Sequence, residues 1–161
     1  MTWEYAHLVA HSFPIVLTVT GALTGLFGWW RGRADLEKWG MVALVIAAAF
    51  AAPAYFTGLS AADVAADRTF VRPGVVQTHR FWATWALIPL FTSGALAVVA
   101  LKESDRRLRR FTLVLGLFAA CAVGLAAWKG SKIRHDAGPG SDGSAVLVSE
   151  VFHQQDQPEE G

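Results

Sequence analysis

Four stretches of this chain contain no Lys, Arg, Asp or Glu: residues 5–30, 39–60, 81–101 and 111–128. A helix needs ~20 predominantly apolar residues to cross the hydrocarbon core, within a range of about 17–25. Lipid offers no partner for exposed backbone groups, so each stretch is read as an uninterrupted helix. Four such stretches in 161 residues predict an all-α membrane protein, a four-transmembrane-helix up-down bundle. Apolar residues make up 53% of the chain, more than a soluble domain of this size hides easily. The start, MTWEYAH, carries no Lys or Arg, and its apolar run is too long for a signal-peptide core. It is therefore read as the first span. The single Cys121 lies mid-span among small residues and is read as packing, with no CxxC metal motif.

The basic residues mark topology rather than nucleic-acid binding. Loop 31–38 holds Arg31, Arg33 and Lys38, and loop 102–110 holds Lys102, Arg106, Arg107, Arg109 and Arg110. The other side, residues 1–4, 61–80 and 129–161, has only six basic residues in 57 positions: Arg68, Arg72, Arg80, Lys129, Lys132 and Arg134. The positive-inside rule puts the dense loops in the cytoplasm and both termini on the external, periplasmic side.

Helix alternation then gathers the histidines. His7 and His11 fall in the first turns of helix 1, His79 opens helix 3, and His135 follows helix 4, all at the external end. His7 and His11 are four residues apart, so they share a helix face with ~6 Å between them along the axis. Ionisable side chains within spans usually face the bundle interior and mark functional paths. A short internal match, TGAL at 20–23 and SGAL at 93–96, aligns His79 to within one residue of His7. It suggests two hairpins related by an axis along the membrane normal.

Three chemistries suit this cluster. The first is b-type haem, held by inward-facing axial histidines from facing helices. His79 and either His7 or His11 would be the ligands, with His135 a further ligand or propionate partner. Arg80 would bind a propionate, with Arg72 and Arg134 in reserve. Gly21, Gly25 and the alanines of helix 2 (Ala47, Ala48, Ala49, Ala51, Ala52) would make room. Tyr55, within PAYFTG at 53–58, is a partner for a quinone headgroup or a propionate. The second is a bare copper or zinc ion held by His7, His11, His79 and His135. The third is an interfacial belt, in which His, Trp and Tyr anchor helices at headgroup depth. Pro14, Pro53 and Pro89 lie inside spans and are read mainly as packing. No acidic residue falls within the uncharged stretches, which argues against a proton- or cation-coupled transporter.

Residues 136–161 form a polar C-terminal tail, DAGPGSDGSAVLVSEVFHQQDQPEEG. Its composition is that of a segment with too little apolar surface to fold alone. It is read as docking on a partner subunit, with the bundle itself in residues 1–135.

The motifs HLVAHSFP (7–14), PAYFTG (53–58), His79 and GSKIRHDAG (130–138) resemble an uncharacterised bacterial family of small four-helix membrane proteins. That family begins H-x4-H-F-P, ends helix 2 with P-x3-T-G, opens helix 3 with His and closes with a Gly- and His-containing element. Here the first two histidines are spaced by four rather than five, and Ser12 stands before Phe13. Members occur fused to Rieske-type or cytochrome c modules, which implies redox work at the outer face of a bacterial inner membrane. The expectation is thus an electron-transfer subunit of a larger respiratory or photosynthetic complex. It would carry haem b near the periplasmic face and pass electrons between quinone and an external redox protein. Its other contacts would be lipid and further subunits, with no nucleic acid and no substrate chemistry of its own. The alternatives are a non-redox anchoring subunit and a periplasmic-face copper or zinc protein.

Overall fold

A computed structural model of the chain describes residues 3–66, 73–103 and 105–135. These form four helices: α1 (Trp3–Arg31), α2 (Ala34–Ala66), α3 (Pro73–Glu103) and α4 (Arg106–His135). No strand occurs among the described residues. Each helix contains a segment long and apolar enough to cross a membrane: Tyr5–Arg31, Ala34–Val64, Gly74–Glu103 and Arg106–Ser131. The helices outrun the uncharged stretches at both ends. Long basic side chains tolerate this, since their stems lie along apolar surface while the charge reaches the headgroups.

Local chemistry explains the two tight turns between helices at the basic end. Gly32 adopts φ 68°, the left-handed conformation that favours glycine. The Gly32 amide donates to the Trp29 carbonyl (3.2 Å) and the Arg33 amide to that of Gly28 (2.7 Å). This pair of bonds is a Schellman cap, closing the end of α1. Arg33 then pairs with Asp35 (2.7 Å) in the first turn of α2. At the start of α4, Asp105 is an N-cap: its Oδ1 accepts from the Arg107 amide at 2.8 Å.

The packing order is α1 on α2 and α3 on α4, with the hairpins joined along α2–α3 and α1–α4. α2 and α4 touch across one diagonal, while α1 and α3 stand at opposite corners. Without a hydrophobic drive between helices in lipid, close backbone approach holds such a bundle together. Gly21 and Gly25 of α1 face Gly40 of α2, and Gly28 faces Leu36 and Glu37 a turn away. A Cβ on Gly40 would lie 2.5 Å from the Gly21 carbonyl oxygen, and one on Gly28 would lie 2.7 Å from the Glu37 amide nitrogen. Two layers of core follow. Towards the basic end lie Met41, Leu44, Ala97, Ala100 and Leu113; towards the histidine end lie Ala47, Ala51, Ala86, Leu90, Ala119, Val123 and Ala126.

Large apolar side chains point outward, among them Phe27, Ile46, Ile88, Val98, Val114 and Phe118, as a lipid-facing surface requires. Trp3, Tyr5, Trp85 and Trp128 are exposed at the histidine end, and Trp30 and Trp39 at the other. The two groups form aromatic belts at headgroup depth. Cys121 is exposed on α4 and faces outward rather than into the core, because the alternation of Ala119, Ala120 and Val123 turns it away.

The two hairpins repeat each other with an offset of 72 residues. Adding 72 to the positions of the Ser12-to-Leu8 hydrogen bond gives Thr84 to Arg80, and Thr20 to Val16 gives Thr92 to Ile88. The bond from the Glu37 amide to the Arg33 carbonyl becomes that from Arg109 to Asp105 in the same way. Burial repeats too, with Ala47 and Ala119 both fully buried and Ala54 and Ala126 both at 6% exposure. The TGAL–SGAL match implies 73 and is one residue out. Gly21, Ala22, Ser93 and Gly94 are all buried, so small residues match in either register.

Candidate functional site

Three histidines lie at one end of the bundle. His7 and His11 lie in the first turns of α1, and His79 in the second turn of α3. All three are partly buried and lie within electrostatic reach of one another. The His7 and His11 rings stack at 5.1 Å between centroids with an interplanar angle of 22°.

Each ring has its Nδ1 committed. His7 Nδ1 lies 3.0 Å from the Ala54 carbonyl oxygen on α2. His79 Nδ1 lies 3.0 Å from the Ala126 carbonyl oxygen on α4. His11 Nδ1 lies 3.0 Å from the His7 carbonyl oxygen and 2.9 Å from that of Leu8, both on its own helix. A carbonyl oxygen only accepts, so Nδ1 carries the proton in all three rings. In the neutral imidazole this leaves the lone pair on Nε2. A backbone carbonyl fixing one ring nitrogen so that the other is basic and oriented is the usual support of a metal-ligating histidine.

Glycine sets the seats of two of these rings. A Cβ on Gly58 would lie 2.8 Å from His7 Cε1, and one on Gly130 would lie 2.9 Å from His79 Cε1. Each imidazole therefore rests on a stretch of helix backbone one turn beyond the carbonyl it bonds. Any larger residue would lift the ring away.

The remaining sequence-based candidates fall into place less closely. Arg80 follows His79 but is exposed, 3.8 Å from Asp63 on α2. Tyr55 is part-buried, its hydroxyl 3.4 Å from Thr84 Oγ1, a contact between α2 and α3. His135 ends α4, but its side chain lies outside the described residues, as do Arg72 and the side chain of Arg134. The tail at 136–161 also lies outside them. Gly21 and Gly25 do not open a pocket: Gly21 packs on Ala43 and Gly40, and Gly25 on Leu113. Ala49 faces outward, leaving Ala47, Ala48 and Ala51 in the interior. Among the described residues no three of His, Cys, Asp and Glu are grouped so as to hold a metal ion by themselves.

Sequence reasoning missed the glycine seats and the carbonyl acceptors, because both contacts join positions 47 or more residues apart. It also missed Glu37, which sits within the α2 span at 7% exposure and pairs with Arg109. The signal was present, as one of two carboxylates, with Asp35, inside the first basic loop.

Four long apolar helices with belts of aromatic residues at both ends define a multi-pass membrane protein. The chain belongs to the DUF2231 family of predicted membrane proteins, whose sequence profile matches residues 6–142. The family's function is unknown, and its span covers the four described helices almost entirely. No curated protein and no solved structure matches the chain.

Proposed function

We propose that this protein is a membrane-embedded electron-transfer subunit that holds a b-type haem at the histidine end of the bundle. His79 of α3 and one histidine of α1, His7 or His11, would be its axial ligands. The observation that carries the reading is the state of the rings: three imidazoles at one end, each with Nδ1–H given to a carbonyl and Nε2 left basic. This donor set fits a haem better than a bare ion. Haem iron asks the protein for two axial nitrogens, whereas structural zinc asks for about four ligands. No such larger group of ligating side chains is assembled among the described residues.

Bound haem would supply one-electron chemistry. The chain's own residues do the holding and orienting. Ala54 and Ala126 fix the ring tautomers, and Gly58 and Gly130 fix the ring positions. The alanine-rich layer at Ala47, Ala51, Ala119 and Ala126 supplies a dry, apolar surround. Arg80, exposed beside His79, suits a propionate, and Tyr55 a quinone headgroup or a propionate.

The basic loops favour an N-out, C-out orientation in a bacterial inner membrane, with the site towards the periplasm. Electrons would then pass between quinone and an external redox protein. The tail at 136–161 would dock on that protein or on another subunit of the complex. A protease added from outside should remove the tail from the isolated protein and spare it in the native complex.

One observation favours a second reading, a non-redox anchoring subunit. The His7–Ala54 and His79–Ala126 bonds each tie the two helices of a hairpin, as a purely structural staple would. A dithionite-reduced minus air-oxidised spectrum of protein purified in mild detergent from its native membrane separates the two. Iron, copper and zinc are measured on the same sample. Sharp haem bands with about one iron per chain support the cytochrome. A featureless spectrum without metal supports the anchor, and stoichiometric copper or zinc a metal-handling protein.

A further inference from the structure

The internal repeat distinguishes between the two α1 histidines. Adding 72 to His7, Ala54 and Gly58 gives His79, Ala126 and Gly130. The hydrogen bonds are both 3.0 Å, and the sequence separation within each is 47 residues. The rings meet their glycines at 2.8 and 2.9 Å through the same atom, Cε1. His7 and His79 are thus the same residue of two copies of one hairpin, held by the same partners. His11 has no counterpart: 72 residues on stands Ala83. Among the described residues its Nδ1 bonds carbonyls of its own helix alone, and no glycine seats its ring.

A site shared by two like hairpins is most simply built by one group at each equivalent position. We infer that the haem site is two-fold, with His7 and His79 as the two axial ligands and His11 as a positioning residue stacked on His7. This rests on the haem reading above and sharpens it. Each hairpin contributes one imidazole, one carbonyl that orients it and one glycine that seats it. His11, with its ring against His7 at 5.1 Å, limits the rotation of that ligand and holds no iron.

The test is a ligand exchange read by spectroscopy on protein purified from its native membrane. His7→Met and His79→Met are each expected to retain haem and to convert its absorption and electron paramagnetic resonance from the bis-histidine to the histidine–methionine type. His11→Met is expected to leave the ligand-field signature unchanged. His7→Gly and His79→Gly should each lower haem per chain by at least about tenfold, with recovery on adding imidazole. Recovery separates a lost ligand from a failure to fold. The pairing is overturned if His11→Met changes the signature while His7→Met does not, or if imidazole restores haem to His11→Gly alone. A wild-type protein carrying haem with any other ligand pair sinks this inference and leaves the cytochrome reading standing. A wild-type protein without haem overturns both.

Discussion

Glu37 and Arg109 hold the same position in the two hairpins, since 109 is 37 plus 72, and they pair with each other at 3.8 Å between Oε2 and Nη1. A residue that meets its own repeat partner lies on the axis relating the copies. The pair therefore marks that axis at the basic end, where α2 and α4 touch. Their side chains are only 9% and 12% exposed. Two identical hairpins would bring like charges together here, at a cost that a low-dielectric site magnifies. Opposite charges at equivalent positions make the contact attractive and favour this hairpin pairing over self-association of either one.

Removing Glu37 takes this carboxylate away from a nearly buried guanidinium. Glu37→Leu should lower stability on the order of 3 kcal/mol, the scale for breaking one partner of a buried pair. Exchanging the identities, Glu37→Arg with Arg109→Glu, should recover most of that loss, because the two positions are equivalent. Thermal unfolding in detergent of the single variants, the exchange and the wild type gives the comparison. An exchange variant as unstable as Arg109→Glu alone would show that the surroundings of the two positions differ too much for the repeat to matter.

The glycine contacts divide sharply by position. At Gly40 a Cβ would meet backbone atoms of Gly21 and Gly25 at 2.5 to 2.6 Å, and backbone cannot rotate away. Gly40→Ala should force α1 and α2 apart and lower stability by about 1–3 kcal/mol, the usual range for overpacking. At Gly124 nothing lies within 4 Å of the added atom. Gly124→Ala should be neutral or stabilising by up to ~1 kcal/mol, through helix propensity alone. The melting temperature should fall for Gly40→Ala and hold or rise for Gly124→Ala; a parallel fall would mean that the glycines act through something other than helix contact.

The four spans were legible in the sequence because the membrane imposes a length and a charge rule that each helix obeys by itself. The co-location of His7, His11 and His79 was legible for the same reason, as helix alternation alone puts them at one end. What stayed hidden were relations between helices. TGAL and SGAL gave the right repeat in the wrong register, since buried small residues occur in runs and one residue of slip costs a motif match little. The roles of Gly58 and Gly130 were hidden because a glycine near a helix end reads as a turn residue until an imidazole is seen lying on it. Gly21 and Gly25 misled in the opposite sense: small residues signal either space or contact, and here a neighbouring helix fills the space.

The glycine seats give a paired prediction on the haem reading. Gly58→Val and Gly130→Val each place a branched side chain where an imidazole now lies, at 2.8 and 2.9 Å from Cε1 even for the first added carbon. Each should displace its ring and break its bond to Ala54 or Ala126. Haem per chain should fall in both, by a similar factor of about 10–100, the scale seen when support of a metal-ligating histidine is lost. A Gly74→Val control, with open space around it, should keep its haem. Strongly unequal losses would mean that the two seats support different functions.

The proposed orientation rests on an end-to-end asymmetry of charge and would decide which compartment the histidines face. Exposed basic residues at one end include Arg31, Arg33, Lys38, Lys102, Arg106, Arg107 and Arg110. Two of these guanidinium groups lie over indole rings, Arg110 on Trp29 at 5.3 Å and Arg31 on Trp30 at 5.9 Å, as expected of side chains lodged among headgroups. Anionic lipid on the cytoplasmic leaflet attracts such a surface by ~1 kcal/mol per basic residue. In a Cys121→Ala background, Ser131→Cys should react with a membrane-impermeant maleimide added to intact spheroplasts. Arg106→Cys, at the other end of the same helix, should react only after the membrane is opened. Both positions are exposed, so access to the reagent rather than burial governs the result. The reverse pattern would turn the histidine end to the cytoplasm. An external redox partner would then be excluded, and a cytoplasmic donor or acceptor would have to take its place.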